Sequence, residues 1–416
     1  MTPEIKHRIE KIRRGNVPDG YKKTKAGILP ADWDVHMFGE CLSRVEKPVE
    51  VKPNKLYTQI GIRSHGKGIF YKEPVTGAAL GNKSVFWIEP DCFIVNIVFA
   101  WEQAIGKTTQ SEVGMIGSHR FPMYRPVNDR VDIDYLISYF LTKRGTDILE
   151  AASPGGAGRN KTLGQERFLK SKIVLPPIGE QQKIAAILTT QDRVIELKEK
   201  RLAEKQRQKK YLMQQLLTGK KRLPGFSGEW SFPKAKELFQ SVSDKDHNGD
   251  LAVLSSTQDR GIVPRVEVDI DIKYDACSLV NYKKVSKGNF VISLRSFQGG
   301  IEYSAYTGLV SPAYTVLSSR KEMSDGYYKQ FFKSTDYINR LNVAVYGIRD
   351  GKQISYEDFG RLQIPYPPIK EQDAIAEVLS TADREINLLQ QDIEQEKQKK
   401  KALMQLLLTG VVRVTI

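Results

Sequence analysis

Two stretches of the chain place apolar residues at seven-residue spacing over an unusually long distance. In the first, Leu188, Ile195, Leu202 and Leu216 form a ladder broken by Lys209; in the second, Leu379, Ile386, Ile393 and Leu407 form the same ladder, broken by Lys400. A weaker companion ladder has Ile184 and Leu212 at its ends with Gln191, Lys198 and Lys205 between them, answered by Ile375, Ala382, Leu389, Glu396 and Leu403. So narrow an apolar stripe fits a partner helix better than the broad face of a globular core. Pro-Pro precedes each stretch, an acidic residue falls in the first turn and Thr-Gly closes the run, which are start and stop signals of a helix. From Glu180 to Thr218, at 1.5 Å per residue, the predicted rod is roughly 58 Å long.

The two stretches are copies. Pro176-Pro177-Ile178-Gly179-Glu180-Gln181 returns as Pro367-Pro368-Ile369-Lys370-Glu371-Gln372, and Leu216-Leu217-Thr218-Gly219 returns as Leu407-Leu408-Thr409-Gly410, always 191 residues later. The chain is therefore two tandem halves. Two helices of equal length in one chain predict pairing with each other, antiparallel because a whole domain intervenes between them; a homodimeric coiled coil is the alternative. Clusters such as Lys198-Glu199-Lys200-Arg201 and Lys205 to Lys210 are read as solvated helix faces.

Between the helices the pattern shortens. Strand-like runs at Phe93–Phe99 and Phe290–Leu294 alternate with helix candidates at Tyr135–Leu141 and Tyr327–Phe332, which describes mixed α/β blocks. Both blocks end alike, at Lys161–Phe168 and Lys352–Phe359, yet they diverge far more than the helices do. The predicted organisation is a basic N-terminal helix and arm over 1–30, a first block over 31–175, a central helix over 176–222, a second block over 223–366 and a C-terminal helix over 367–416. The fold class is α+β: two mixed α/β domains joined by two long antiparallel coiled-coil helices, with a pseudo-twofold internal repeat.

Charge adds a partner class. With 64 Lys and Arg against 49 Asp and Glu, the net charge is +15 and the pI about 9.4, which favours a polyanionic partner without specifying a fold. No run approaches 18 apolar residues and Met1–Arg8 has no apolar signal core, so neither a membrane span nor export is expected. Cys41, Cys92 and Cys277 are single and far apart, as in a reduced cytoplasmic protein.

The search for catalysis yields only near misses. Gly61-Ile62-Arg63-Ser64-His65-Gly66-Lys67-Gly68 scans like a phosphate-binding loop, but Gly68 stands where a Mg²⁺-holding Ser or Thr is needed. Leu175–Ile178 and Tyr366–Ile369 lack the Asn or Asp and the aromatic residue of a DNA-methyltransferase tetrad. His7, His36, His65, His119 and His247 are isolated, so no metal site is expected. The sequence offers no catalytic constellation, so a binding subunit is expected ahead of a stand-alone nuclease or methyltransferase.

The ordered, duplicated set of Pro-Pro-Ile-x-Glu-Gln helix starts, Leu-Leu-Thr-Gly ends and Leu-Pro…Trp openings (Leu29–Trp33, Leu223–Trp230), with Phe297–Glu302 and Gly308–Tyr314, resembles the specificity subunits of type I restriction-modification systems. The likeness covers nearly the whole chain; the first block departs from it, with Gly117 before Ser118 and no counterpart of Ser311-Pro312. The resemblance implies two target-recognition domains that each read half of a split site in double-stranded DNA. It further implies docking of two DNA-adenine methyltransferase subunits, restriction subunits in the full complex, and no cofactor in this chain, with S-adenosylmethionine, ATP and Mg²⁺ on the partners. Basic and polar residues on glycine-rich loops are the candidates for DNA contact, because there the backbone can approach phosphates and base edges. They are Arg63, His65, Lys67, Arg159 and Lys161 in the first block and Arg295, Gln298, Arg349 and Lys352 in the second. A non-catalytic coiled-coil adaptor is the competing class; it predicts no DNA affinity, whereas a DNA reader predicts binding that weakens steeply with salt.

Overall fold

The computed structural model describes residues 2–24, 27–155, 161–268, 276–294, 296–344 and 354–414. Both heptad stretches are single 39-residue helices, Ile178–Leu216 and Ile369–Leu407. The carbonyls of Pro177 and Pro368 accept the first helical N–H bonds, from Glu180 and Gln181 in one and from Glu371 and Gln372 in the other. Gly219 and Gly410 stop them at φ 71° and 70°. There the N–H of Lys221 reaches back to Gln215 and that of Val412 to Leu406, the wrap that a left-handed residue permits at a helix end.

The chain divides into two compact units, residues 1–197 with 393–416 and residues 198–392. Each unit holds the start of one long helix and the end of the other. In the first, Gln191 Nε2 donates to Glu396 Oε2 at 2.6 Å and Lys400 pairs with Asp192 at 2.5 Å. In the second, Lys198 pairs with Asp392 at 2.8 Å, Lys205 with Glu385 at 2.7 Å and Lys209 with Asp383 at 2.6 Å. Numbers rise along one helix as they fall along the other, so the pairing is intramolecular and antiparallel. These bonds correct the expectation that Lys198, Lys205 and Lys209 only face solvent: they are the polar rungs of the weaker ladder, each meeting a carboxylate across the seam. Among the apolar rungs Leu188, Ile195, Leu216, Leu379, Ile386, Ile393 and Leu407 are buried, and Leu202 is half-buried.

Each unit carries a four-stranded antiparallel sheet. In the first the spatial order is Ile105–Lys107, Phe93–Val95, Met123–Pro126, Leu42–Val45; in the second it is Glu302–Tyr303, Phe290–Ile292, Thr315–Ser319, Phe239–Val242. Followed along the chain, the two sheets trace the same path, so blocks that differ in sequence share one topology. The strand expected to run to Phe99 stops at Val95, because Asn96 turns the chain by accepting the N–H of Val98 on its side-chain oxygen.

Alternation along the central strand explains how the sheet is buried on both faces. Phe93 and Val95 enter an aromatic core with Tyr124, Phe140 and Phe168 that continues into Ile184, Leu188 and Leu407 of the long helices, while Ile94 packs on the opposite face with Ile60 and Ile62. In the second unit Phe290 and Ile292 join Phe239, Phe332, Phe359, Leu216, Ile375 and Leu379, while Val291 faces Leu254 and Ile262. The helix ladders thus serve two ends, a seam between helices and the floor of each domain.

A duplicated polar clamp fastens each domain to its helix. Glu180 and Glu371 are both fully buried in the first helical turn. Glu180 accepts two bonds from Arg413 at 2.8 Å and one from the indole N–H of Trp33 at 3.2 Å; Glu371 accepts two from Arg222 at 2.5 and 2.6 Å and one from Trp230 at 2.8 Å. Arg413 also forks onto Asp32, and its guanidinium holds that carboxyl below the usual carboxylate range. The neighbouring glutamines act in step. Gln181 accepts the N–H of Asp132 and donates to Pro176, and Gln372 accepts the N–H of Ser324 and donates to Pro367. Asp132 and Ser324 are the N-caps of the helices Ile133–Phe140 and Asp325–Phe331 that floor each domain.

Removing one member of such a clamp strands a buried charge. Glu371→Ala is expected to lower stability by about 3–5 kcal/mol, whereas Glu385→Ala, which breaks the half-exposed pair with Lys205, should cost far less, because solvent screens that pair. Chemical denaturation of the two variants beside the parent checks this; equal small losses would show that the clamp does not hold the domain.

Candidate nucleic-acid interface

The face of each sheet turned away from the long helices carries a hairpin. In the first unit it is Ile60–Ile62 paired with Ile69–Tyr71. Gly61 is required there, since a Cβ would lie 2.3 Å from the Phe70 ring. Its tip, Arg63–Gly68, is tied down by its backbone: His65, at φ 61°, donates its N–H to the Glu102 carbonyl at 2.7 Å, and Gly66 donates to Gln103 at 2.9 Å. Ser64 Oγ adds a bond to the Glu102 carboxylate at 2.8 Å. The candidate phosphate loop is therefore a tip between antiparallel strands and not a strand-to-helix turn, which removes the nucleotide-binding geometry.

Arg63, His65 and Lys67 are exposed at this tip and line one open concavity of about 560 Å³ together with Lys72, Asn96, Phe99 and Phe121. The Arg63 guanidinium lies 4.7 Å from the centroid of Phe70. Stacking on an aromatic ring pre-orders the planar fork that a phosphate or a guanine edge would accept. Cationic groups around an aromatic and amide floor suit the edge of a nucleic acid. Lys161 is placed differently. It is half-buried, pairs with Glu150 at 2.8 Å and sits 5.3 Å from the Trp101 ring, so its charge is answered within the domain.

Of the second-block candidates, Gln298 is exposed on the single turn Ser296–Gly299 that follows the central strand. Arg159, Arg295, Arg349 and Lys352 lie outside the described residues. The second hairpin, Leu254–Thr257 paired with Gly261–Pro264, was not singled out from sequence, and its tip is Gln258-Asp259-Arg260. Beneath it Glu302, on the sheet edge, is paired with Lys333, whose Nζ also donates to the Gln258 carbonyl at 3.2 Å. The clamp residues Arg222 and Arg413 were missed as well, although they repeat at the same 191-residue offset as the glutamates they hold.

The type I restriction modification DNA specificity domain matches residues 74–207 and again 210–398. The chain belongs to that family. It is 24% identical to the specificity subunit of the type I restriction enzyme MjaVIII of Methanocaldococcus jannaschii, covering 95% of this chain and 96% of that one. The fold is similar to the HsdS subunit of Thermoanaerobacter tengcongensis, with a TM-score of 0.52 at 18% identity over 92% of this chain and 98% of that one. It is similar too to a chain from a study of assembly and conformational transition in a type I restriction-modification system, with a TM-score of 0.58 at 18% identity over 92% and 99%. The protein is thus a type I specificity subunit, a non-catalytic DNA-recognition component whose partners are DNA and the methyltransferase and restriction subunits. Among the described residues no helix is long and apolar enough to cross a membrane.

Burial pushes the Glu302 carboxyl up to about 6 despite the opposing Lys333 ammonium. The folded state then holds a proton that the unfolded chain releases near the ordinary carboxylate value. That contribution to stability is full below about pH 4.5 and is lost as pH rises through about 6, worth roughly 2 kcal/mol. Relative to Glu302→Gln, the parent protein should therefore lose stability between about pH 4.5 and 6.5, measured as the difference between their denaturation midpoints; a difference flat with pH would refute the assignment.

Proposed function

We propose that this chain reads a bipartite, asymmetric DNA site, with residues 31–175 and 223–366 as its two target-recognition domains, and that it docks two DNA-adenine methyltransferase subunits. The observation that carries this reading is the contrast between duplicated helix starts, clamps and sheets and the unlike hairpin tips mounted on them. A repeated frame with two different surfaces suits two different half-sequences. Arg63, His65 and Lys67 are the proposed DNA contacts of the first domain, with Arg159 from a separate segment of the chain, while Lys161 stays paired with Glu150; Arg295, Gln298, Arg349 and Lys352 are those proposed for the second. S-adenosylmethionine, ATP and Mg²⁺ belong to the partner subunits, and the assembly works in the cytoplasm.

Two docking sites for the methyltransferase find support on the helices. Leu197 is 50% exposed and Leu388, its repeat 191 residues later, is 66% exposed. Exposed leucines in matching positions of two copies suit two identical partners, since one apolar surface would meet each. Leu197→Asp and Leu388→Asp should each remove one methyltransferase from the complex, read by native mass; loss of both from either variant would count against separate sites.

Methylation mapping in cells carrying this subunit and its methyltransferase tests the DNA reading. The expected motif has two unlike half-sequences separated by a fixed spacer, and a continuous or palindromic motif overturns it. Arg63→Ala should relax one half only, by about 1–3 kcal/mol if the contact is to a base; a uniform loss across sequences marks a phosphate contact.

Helix length is the proposed ruler for the spacer. One heptad inserted after Ile195 and one after Ile393 falls between the Gln191–Glu396 and Lys198–Asp392 pairs on both helices, which preserves the seam and adds about 10 Å. The motif should keep both half-sequences and gain about three base pairs of spacer, at roughly 3.4 Å per step. An unchanged spacer in an active complex would refute the ruler.

A further inference from the structure

The two hairpins differ in sequence and in tip length, yet three observations make them the same element. Both lie in the chain between the first edge strand and the central strand of their sheet, Leu42–Val45 and Phe93–Val95 in one unit, Phe239–Val242 and Phe290–Ile292 in the other. Both press two apolar residues onto the face away from the helices, Ile60 and Ile62 against Ile94, and Leu254 and Ile262 against Val291. Both are preceded by a residue that bridges, in parallel, to the matching strand: Gln59 to Ile116, and Val253 to Leu309.

From this correspondence we infer that Gln258 and Arg260, at the tip of the second hairpin, are specificity-determining contacts of the second recognition domain, and that Lys333 positions them. The inference rests on the DNA-reading function proposed above. Gln258, Asp259 and Arg260 are all exposed, the Arg260 guanidinium held by a bond to the Glu267 carbonyl at 3.2 Å that leaves its other donors open, while the backbone under them is fixed. The Gln258 carbonyl accepts from Lys333, which the buried Glu302 pairs; the Arg260 N–H donates to Thr257 Oγ1 at 3.2 Å. Gly261 follows at φ 79°, where a Cβ would stand 2.7 Å from the Tyr303 carbonyl oxygen. In the first domain the tip is likewise bonded through its backbone, there to Glu102 and Gln103, and displays Arg63, His65 and Lys67. A rigid backbone with exposed polar side chains is what a base-reading loop requires, since little order is then lost on binding. Gln can bond both positions of an adenine edge, and Arg both acceptors of a guanine edge. The acidic Asp259 between them disfavours a phosphate and favours a base edge with a donor, such as cytosine.

The test uses the full-length subunit with its partner methyltransferase in cells, and reads the methylated motif. The Gln258→Ala/Arg260→Ala double variant should relax one half-sequence, with about a tenfold rise in methylation of sites carrying one changed base in that half. Arg63→Ala should relax the other half. If Arg63→Ala relaxes its half while the double variant methylates the unchanged motif as well as the parent does, the assignment of the second tip is wrong. If neither moves the motif, the DNA-reading role of both hairpins falls. Lys333→Met should relax the same half as the double variant; a uniform loss of methylation across all sites would reduce Lys333 to a structural residue. Melting of each purified variant accompanies the motif, and the tip variants, altered only at exposed side chains, should melt with the parent.

Discussion

The structure depends on a carboxylate buried in the first turn of each long helix. A glutamate with no access to water is costly unless it is paired and hydrogen-bonded. Glu180 and Glu371 meet that demand in the same way, each with an arginine from beyond the end of the partner helix and a tryptophan from the entrance to the domain. One side chain thus joins three segments that are far apart in sequence. The glutamine that follows adds the domain's own helix N-cap, so Glu-Gln is a two-residue docking plug.

The seam between the helices is built on a different principle. Its ion pairs are half-exposed, and each contributes little stability by itself. What they specify is register and direction, because shifting one helix by a turn would set Lys198, Lys205 and Lys209 away from their carboxylates. The central rung, Leu202, is only half-buried, so the apolar content there is thin and the polar rungs carry the choice among possible registers.

With the clamp, the seam and the sheet held constant, the hairpin tips are free to differ. Their apolar feet are buried against the central strand, while Arg63, His65 and Lys67 on one tip and Gln258, Asp259 and Arg260 on the other are exposed and contribute nothing to the buried core, so the tips can change with little effect on the fold. The two tips use this freedom in opposite ways: six residues with two cations and a histidine in one, three residues of mixed charge in the other. A protein that must carry two unlike readers on one frame gains from confining the difference to such positions.

Legible along the chain were the long helices, their duplication and their bounds to within two residues, because a seven-residue period and a constant offset can be read without knowing any contact; antiparallel pairing within the chain was expected beside a homodimeric alternative, and the cross-helix pairs decided it. Pro-Pro, Thr-Gly and the acidic first turn are read the same way. The shared sheet topology was not legible: strands of two to five residues carry too little period to register, and Asn96 ended one of them through a side-chain bond no pattern announces. The partners of Glu180 and Glu371, the cross-helix role of the lysines and the equivalence of the two hairpins belonged to the tertiary structure alone. Each is a contact between residues remote in the chain, and the hairpins differ in length, so no constant offset could align them.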